Sequence, residues 1–286
     1  MFSRLVALVL PIAIAAVSLT SCAPVVTPHG STAGGAAIYA VPLSWSTAYL
    51  VVAPGGRVTL VDAGSDRPDD LAALGKAVAS HGGWSALELI VLTHAHADHA
   101  GLADTLRALS GAAVMLGAAD VALYRRGGTV DLQAIGLEAR LIEGAVPESY
   151  SPPSRPDGLA IVPVDGRVSL GDYGLDGYVA SVPGHTPGSV AVVLEDAAGK
   201  PAYAFVGDLV RGGSLGGRLR PGHARTHYFH EDRLGAEAAF AALAAAGVDT
   251  FFLGHGGPID ATEAARFVRR HAAPPNPHPR DTLAQD

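Results

Sequence analysis

Six consecutive residues of this chain carry three histidines and one aspartate: His94, His96, Asp98 and His99, in the order His-Ala-His-Ala-Asp-His. The mostly aliphatic run of residues 87–92 precedes them and predicts a buried strand. Titratable side chains this crowded need a cation among them, and imidazole nitrogen and carboxylate oxygen are common ligands of zinc and its first-row neighbours. The segment therefore predicts a metal site at the C-terminal end of a strand, where open α/β sheets place their ligand sites.

The spacing within this segment separates the ligands into two pairs. His94 and His96 are two residues apart, so an extended backbone directs both side chains to the same side. Asp98 and His99 fall where a helix can begin. Two pairs can serve two metal ions, whereas a surface loop that is merely rich in histidine is the alternative, and the strand context disfavours it.

Three later apolar stretches each end in a candidate ligand beside glycine or proline. Residues 177–182 precede His185, residues 202–206 precede Asp208, and residues 250–253 precede His255. Glycine lets a backbone approach a metal closely, and proline stiffens a turn. We therefore expect four strand ends to meet at one rim.

The HAHADH segment matches the HxHxDH motif of the metallo-β-lactamase superfamily of hydrolases at every position, and four further segments resemble motifs of that family in the same order. These segments are LVDAG (60–64), VPGHTPGS (182–189), FVGD (205–208) and LGHGGP (253–258). The resemblance covers roughly residues 37 to 271. It implies a mixed α/β fold, an αββα four-layer sandwich with the metal site at one edge of the two sheets.

Carried over residue by residue, the resemblance implies two metal ions, expected to be zinc, with iron or manganese as alternatives. The first ion is assigned to His94, His96 and His185, the second to Asp98, His99 and His255, and Asp208 bridges both. A hydroxide held between the ions would be the nucleophile, and Asp98 would pass a proton to the leaving group. Asp62 is expected to orient a ligand histidine, with a turn-forming role as the alternative.

The first residues have the layout of an export signal. Arg4 is followed by the apolar run of residues 5–19, which is shorter than the ~20 residues that a membrane-spanning helix needs. The sequence LTSC (19–22) resembles the lipobox of bacterial lipoproteins, which implies cleavage before Cys22 and lipid attachment to its sulfur; an ordinary signal peptide is the alternative. We expect an exported protein anchored to a membrane on its periplasmic or cell-surface face, in the outer membrane if the organism has one.

The expected domain plan follows from these segments. It comprises a lipoprotein signal peptide (1–21), a flexible tether (22–36), one metallo-β-lactamase-fold domain (37–273) and a disordered Pro-rich tail (274–286). The formal net charge of −7 argues against a nucleic-acid partner. The expected partners are a small-molecule substrate and, through the lipid anchor, a membrane; the sequence leaves the oligomeric state open.

Three segments are expected to wall the substrate cavity: the Trp45 region, residues 127–158, and the Gly/Arg-rich segment 211–225, which predicts a flexible loop. Three histidines follow Asp208 in or just after that last segment, His223, His227 and His230, and each is a candidate for contact with substrate. Their alternative role is structural.

Function is harder to assign than fold, because members of the superfamily share the metals and differ in the loops that select the substrate. Hydrolysis of an ester, lactone or amide-type substrate is the leading expectation. Asp208 in its Gly-Asp motif resembles lactonases, glyoxalase-II-type thioesterases and phosphodiesterases more than β-lactamases, and the net charge disfavours a phosphodiesterase that acts on nucleic acid. The alternatives are a β-lactamase, phosphodiesterase or thioesterase of the same superfamily, a mononuclear iron persulfide dioxygenase, and a non-enzymatic ligand-binding lipoprotein.

Overall fold

A computed structural model describes residues 27–128, 134–146 and 149–271. The strands are Thr27–Ser31 (β1), Ala37–Pro42 (β2), Thr47–Val52 (β3), Val58–Val61 (β4), Leu87–Val91 (β5), Ala113–Gly117 (β6), Ala160–Val162 (β7), Arg167–Ser169 (β8), Gly177–Ser181 (β9), Val190–Glu195 (β10), Pro201–Phe205 (β11), Arg211–Ser214 (β12), Leu219–Arg225 (β13), Thr250–Phe252 (β14) and Ile259–Asp260 (β15). The α-helices are Pro68–Ala79 (α1), Ala97–Ala100 (α2), Ala103–Ser110 (α3), Val121–Arg125 (α4), Gly136–Ile142 (α5), Arg233–Ala245 (α6) and Ala261–His271 (α7).

The first sheet contains seven strands in the order β1-β2-β3-β4-β5-β6-β7. Strands β1 to β4 pair antiparallel, whereas β4, β5, β6 and β7 pair parallel. Parallel neighbours need a crossover, which α1 supplies between β4 and β5, and α2 with α3 between β5 and β6. The carboxyl ends of β4 and β5 therefore lie at the same edge, and this edge receives Asp62 and the HAHADH segment.

The second sheet contains six strands in the order β15-β14-β11-β10-β9-β8. Its one parallel pair is β11 with β14, and α6 crosses between them. Asp232 accepts a hydrogen bond from the backbone N–H of Gly235 at the start of α6 and so caps that helix. The parallel pairing places the residues after β11 and β14, including Asp208 and His255, at one edge.

Alternation of side chains along the strands builds three apolar layers. In β3, Tyr49 and Val51 pack between the two sheets, whereas Leu50 packs under α1 and α3. The opposite face of the second sheet packs on α6 and α7 through residues such as Phe240 and Phe267. The order of layers is helices, sheet, sheet, helices, which confirms the predicted αββα sandwich.

Two predictions about segments were wrong. Residues 27–31, which we expected to be part of a flexible tether, form β1, the edge strand that pairs with β2. The Gly/Arg-rich segment forms a two-stranded antiparallel sheet, β12 with β13, in place of the expected flexible loop. Strands are recognised by alternating apolar and polar side chains. The glycines of this segment have no side chains, so the alternation was not visible in the sequence.

Among the residues that the structure describes, no helix combines the length and the apolar character needed to cross a membrane. The predicted signal peptide, Cys22 and the Pro-rich tail from residue 274 lie outside the described residues. The lipid anchor and the cellular location therefore stay predictions.

Phe240 contributes to the apolar layer between the second sheet and α6 and α7, and its contribution to stability can be measured. Its side chain is completely buried between Phe251 and Phe267. Replacing Phe240 with alanine should lower the free energy of unfolding by about 3–5 kcal/mol, because a large cavity remains. Urea denaturation followed by circular dichroism measures this change. The matched control is Leu234→Ala on the same helix, where the side chain is 66% exposed and the loss should be far smaller.

Candidate metal centre

The strand ends of both sheets converge on the carboxylate of Asp208. Its Oδ2 atom is surrounded by five imidazole nitrogens, all of them Nε2. The distances are 3.8 Å to His94, 3.4 Å to His99, 3.6 Å to His185, 3.2 Å to His227 and 3.3 Å to His255. Asp208 therefore occupies the centre of the cluster, where the sequence places a bridging carboxylate.

Two triads of possible ligands lie on either side of Asp208. One consists of His94, His96 and His185, and the other of Asp98, His99 and His255; within each triad the ligand atoms lie within 4.8 Å of one another. The contacts are close: His96 Nδ1 is 3.0 Å from His185 Nε2, and His255 Nε2 is 3.3 Å from Asp98 Oδ2. All seven residues predicted to bind metal are thus brought together, and His94, His99 and Asp208 form a further group that joins the two triads.

The unsatisfied atoms of the cluster fit a metal. Buried polar atoms are hydrogen-bonded as a rule, yet His94 Nε2, His227 Nε2 and Asp208 Oδ1 are buried and have no hydrogen-bond partner. The first two nitrogens face the same carboxylate. Converging nitrogen and oxygen donors, three of which have no hydrogen-bond partner, are the donor set that zinc or a neighbouring first-row ion takes.

The histidines of the first triad are held in the neutral form that a metal needs. Burial lowers the pKa of His94 and His185 well below the ordinary value, and neighbouring imidazoles lower it further. Burial also lowers the pKa of His96, to about 4, although Asp98 and Asp208 oppose this. Neutral imidazole offers a free lone pair, so this triad can bind a cation at neutral pH.

The second triad carries more charge than the first. Burial lowers the pKa of His99 and His255, but the carboxylates of Asp208 and Asp98 raise the pKa of His99 well above its usual value and that of His255 to about 10. The imidazoles in turn lower the pKa of Asp98, mainly through His99 and His255. The pKa of Asp208 is also lowered, through His227, His255 and His99, against the effect of burial. Both carboxylates are therefore ionised and available to a cation.

Asp62 orients His99 from the side away from the cluster. Its Oδ2 atom lies 2.8 Å from His99 Nδ1, and its Oδ1 accepts the backbone N–H of Thr93 at 2.8 Å. The Thr93 hydroxyl also donates to this carboxylate. The Asp62 backbone is left-handed, with φ of 64°. These contacts fix the ring so that Nε2 faces Asp98 and Asp208, which is the arrangement expected for a carboxylate that supports a ligand histidine.

Asp120 is a supporting residue that the sequence did not reveal. It follows β6 in a short 3₁₀ turn and is almost fully buried. Its carboxylate accepts hydrogen bonds from the N–H of Ala95 at 2.9 Å, the N–H of Gly188 at 2.8 Å and the hydroxyl of Thr186 at 2.9 Å. It therefore ties the His94–His96 loop of one sheet to the His185 loop of the other. A single aspartate after a strand carries no sequence pattern that would predict this.

Two glycines allow the strand ends to approach the cluster. A Cβ atom on Gly254 would lie 2.3 Å from Asp208 Oδ1 and 2.6 Å from His99 Cε1. A Cβ atom on Gly207, whose φ is 51°, would lie 2.5 Å from the Thr93 hydroxyl. A larger residue at Gly254 would displace Asp208 or His99, and one at Gly207 would displace Thr93, which hydrogen bonds to Asp62.

Hydrogen bonds from the first sheet also support the second triad. The Ser46 hydroxyl donates to the backbone carbonyl of Asp98 at 2.5 Å, and the Tyr49 hydroxyl donates to that of Leu253 at 2.7 Å. The N–H of Thr47 donates to the carbonyl of Gly254 at 2.8 Å. The start of β3 thus holds the loops that carry Asp98 and His255.

A cavity of about 370 Å³ opens onto the cluster. Asp98, Asp208 and several of the histidines form its floor. Its apolar walls are formed by Trp45, Ile142, Val146, Leu215, Tyr228 and Phe229. These residues come from the three segments predicted to wall the cavity, or from just after the last of them, which confirms that prediction.

The three histidines after Asp208 have different positions. His227 is buried and reaches both the cavity and Asp208. His230 is buried beside His185, with ring centroids 5.3 Å apart, but does not line the cavity. His223 is exposed and pairs with Glu263 at 3.0 Å. The sequence pattern did not distinguish the three histidines, and in the structure only His227 lies at the cluster around Asp208.

A family model described as the metallo-beta-lactamase superfamily matches residues 45–255, a span that includes every residue of both triads. The chain belongs to the metallo-β-lactamase superfamily. The resemblance drawn from the motifs is thereby confirmed, and the cluster contains groups of His and Asp side chains that are able to bind a metal ion.

Solved structures of the superfamily share the fold at low sequence identity. A Cronobacter sakazakii metallo-β-lactamase with a HARLDQ motif is 22% identical, with a TM-score of 0.57 over 87% of this chain and 92% of that one. MEM-A1, a subclass B3 metallo-β-lactamase from a soil metagenome library, is 20% identical, with a TM-score of 0.56 over 85% and 91%. A metallo-β-lactamase family protein from Thermus thermophilus is 21% identical, with a TM-score of 0.57 over 82% and 79%. At this identity the likeness shows the fold alone.

Replacing Asp120 with alanine tests its supporting role. The change leaves two backbone N–H groups without their buried acceptor, so the free energy of unfolding should fall by about 1–3 kcal/mol. Because the two ligand loops lose their link, the affinity for zinc should fall about 10–100-fold. Urea denaturation and competition with a chromophoric chelator measure the two effects.

The control for this variant is Asp157→Ala, since the Asp157 side chain is 88% exposed and lies away from the cluster. It should change neither quantity appreciably. Zinc affinity that stays unchanged in Asp120→Ala would show that the loops hold their positions without the carboxylate.

Proposed function

We propose that this protein is a dinuclear metal-dependent hydrolase that acts on esters or lactones with an apolar acyl part. The observation that carries the proposal is the position of Asp208. One carboxylate oxygen lies between two complete triads of possible ligands, close to nitrogens of both. A shared carboxylate between two triads is the arrangement that holds two ions at the separation of about 3.5–4 Å used by two-metal hydrolases.

The residues of the floor have separate roles in this proposal. The first triad and Asp208 would hold one ion, and the second triad with Asp208 the other. Two bound divalent ions would lower the pKa of a coordinated water towards neutrality and would polarise a carbonyl oxygen. Zinc is the expected metal, with iron and manganese as the alternatives.

Asp98 is the proposed proton carrier. It lines the cavity, so it faces substrate as well as the second triad. His99 and His255 lower its pKa against the effect of burial, so it is ionised before the reaction. Its position within the second triad would let it take the proton of a water that bound metal has acidified. The same carboxylate can then return the proton to the leaving alkoxide.

The walls of the cavity support an apolar acyl part. Six apolar or aromatic side chains surround the opening, and Arg218 is the only basic side chain other than histidine among the described residues that line it. A nucleic-acid phosphodiester would need a row of basic groups. A volume of about 370 Å³ fits within the range of small-molecule sites.

The proposal predicts the behaviour of Asp208→Ala. Removing the shared carboxylate should abolish hydrolysis of lactones and esters and release at least one metal ion per chain, because both triads lose a ligand. Elemental mass spectrometry on protein never exposed to chelator measures the metal, and a panel of lactones, esters, β-lactams and phosphodiesters measures the activity. Asp172→Ala, on an exposed turn, is the matched control and should change neither.

The metal content of the wild-type protein separates the proposal from its alternatives. About two zinc ions per chain agree with it. A single iron would support the persulfide dioxygenase, and the absence of bound metal would support a binding protein. An active Asp208→Ala variant would contradict the proposed role of the shared carboxylate.

Trp45 tests the assignment of the apolar walls. It is half-buried, lines the cavity and is not one of the proposed metal ligands. Trp45→Ala should raise KM for long-chain esters about tenfold while leaving metal content unchanged, because it removes apolar contact area worth roughly 1.5–3 kcal/mol. Short-chain esters are the comparison, and an equal loss for both would argue against a role in binding the acyl chain.

A further inference from the structure

His227 lies at the metal cluster although none of the superfamily motifs in this chain contains it. It follows β13 by two residues, is 4% exposed and lines the cavity. Its Nε2 atom is 3.2 Å from Asp208 Oδ2, the shortest of the five imidazole distances to that oxygen. The role of this ring therefore needs a separate explanation.

The contact between His227 and Asp208 does not count as a hydrogen bond. His227 Nε2 is buried and has no hydrogen-bond partner, although it lies 3.2 Å from Asp208 Oδ2. His94 Nε2, which belongs to the first triad, is also buried without a hydrogen-bond partner. Two ligands bound at about 2.0–2.1 Å to one tetrahedral ion lie about 3.3 Å apart. The distance of 3.2 Å between His227 and Asp208 fits two ligands on a common ion, and His185 completes a group with these two residues.

The other ring nitrogen of His227 is held as in a metal-bound histidine. Its Nδ1 lies 3.1 Å from the backbone carbonyl oxygen of Phe229, and His185 Nδ1 lies 2.8 Å from the same oxygen. The N–H of Phe229 is also near His227 Nδ1, at 3.3 Å, but the carbonyl contact is the shorter. A proton on Nδ1, donated to this carbonyl, leaves the Nε2 lone pair free. Metal-ligating histidines commonly donate their second N–H in this way.

His230 shows that burial alone does not place a histidine in the cluster. Both of its ring nitrogens are buried without a hydrogen-bond partner, and its ring lies beside His185. It nevertheless belongs to none of the ligand groups, whereas His185, Asp208 and His227 form a group whose ligand atoms lie within 4.8 Å of one another. The difference between the two histidines is their position relative to Asp208.

We propose that His227 is an additional ligand of the ion that His185 and Asp208 share. Added to His94, His96, His185 and Asp208, which the proposed function assigns to that ion, His227 would be its fifth protein ligand. Five ligands exceed the four of a tetrahedral zinc site, so this half of the centre favours an ion that accepts five or six ligands. The inference rests on the proposed function only in requiring that metal binds at the cluster.

The test uses the full chain and Co²⁺ as the probe. In His227→Ala, the dissociation constant of one of two Co²⁺ ions should rise at least tenfold, measured by competition with a chelator. The visible absorption of that ion should also change, because it depends on the number and type of ligands. The controls are His230→Ala, in the same segment and also buried, and His223→Ala, which is exposed; both should retain the wild-type affinity and spectrum.

Two further measurements keep the proposal falsifiable. His227→Gln retains a polar side chain of similar length in case the alanine variant fails to fold, and it should also weaken binding of one ion. The two triads supply the imidazoles of His94, His96, His185, His99 and His255. X-ray absorption of the wild-type Co²⁺ protein should detect one imidazole ligand in addition to these, summed over both ions. A wild-type affinity and spectrum in the folded variants, with only KM raised, would show that His227 contacts substrate and is not a ligand.

These results are independent of the proposed activity. If the wild-type protein hydrolyses none of the panel but the His227 variants bind Co²⁺ more weakly, the proposed hydrolase function is wrong and His227 is still a metal ligand. If the wild-type protein hydrolyses lactones or esters and both His227 variants bind Co²⁺ as tightly as the wild type, the hydrolase function holds and His227 is not a metal ligand.

Discussion

The arrangement of this protein depends on one buried carboxylate, that of Asp208, with five imidazole nitrogens around a single oxygen atom. Burial of so many polar groups is costly unless each finds a partner, and two of these five nitrogens, those of His94 and His227, have no hydrogen-bond partner. The cluster is stable only if cations occupy it or if protons are shared among its members. The surrounding fold therefore holds the polar groups together until a cation binds.

The αββα sandwich provides this support by bringing loops from separate sheets together. Parallel pairing in each sheet sets two strand ends side by side, and the apolar layer between the sheets fixes the distance across the cluster. Asp62 and Asp120 then fix the loops themselves, the first by orienting His99 and the second by joining loops of the two sheets. Each of these carboxylates makes at least three hydrogen bonds, so neither is free to bind an ion.

The motifs at strand ends, as at His94 and His185, and the family resemblance that they carry predicted the fold and identified the residues that the structure brings together. They did not reveal Asp120, and they identified His227 only as a candidate for contact with substrate, because contacts between segments far apart in the chain follow no local pattern. The sequence also misjudged residues 211–225, where glycine suggested flexibility although the backbone pairs as a hairpin. Local patterns thus predict elements and motifs, while contacts between distant loops require the three-dimensional arrangement.

The β12–β13 hairpin has a consequence for how this protein can diversify. Leu215 and Gly216, at its turn, line the cavity, and the residues just after it include His227 and Phe229. Phe229 also lines the cavity, while its backbone carbonyl holds His185 and His227. An insertion or deletion in this hairpin would alter the space for substrate and the environment of the metals in one step. Substrate range and metal preference are therefore expected to change together among relatives that differ in this segment.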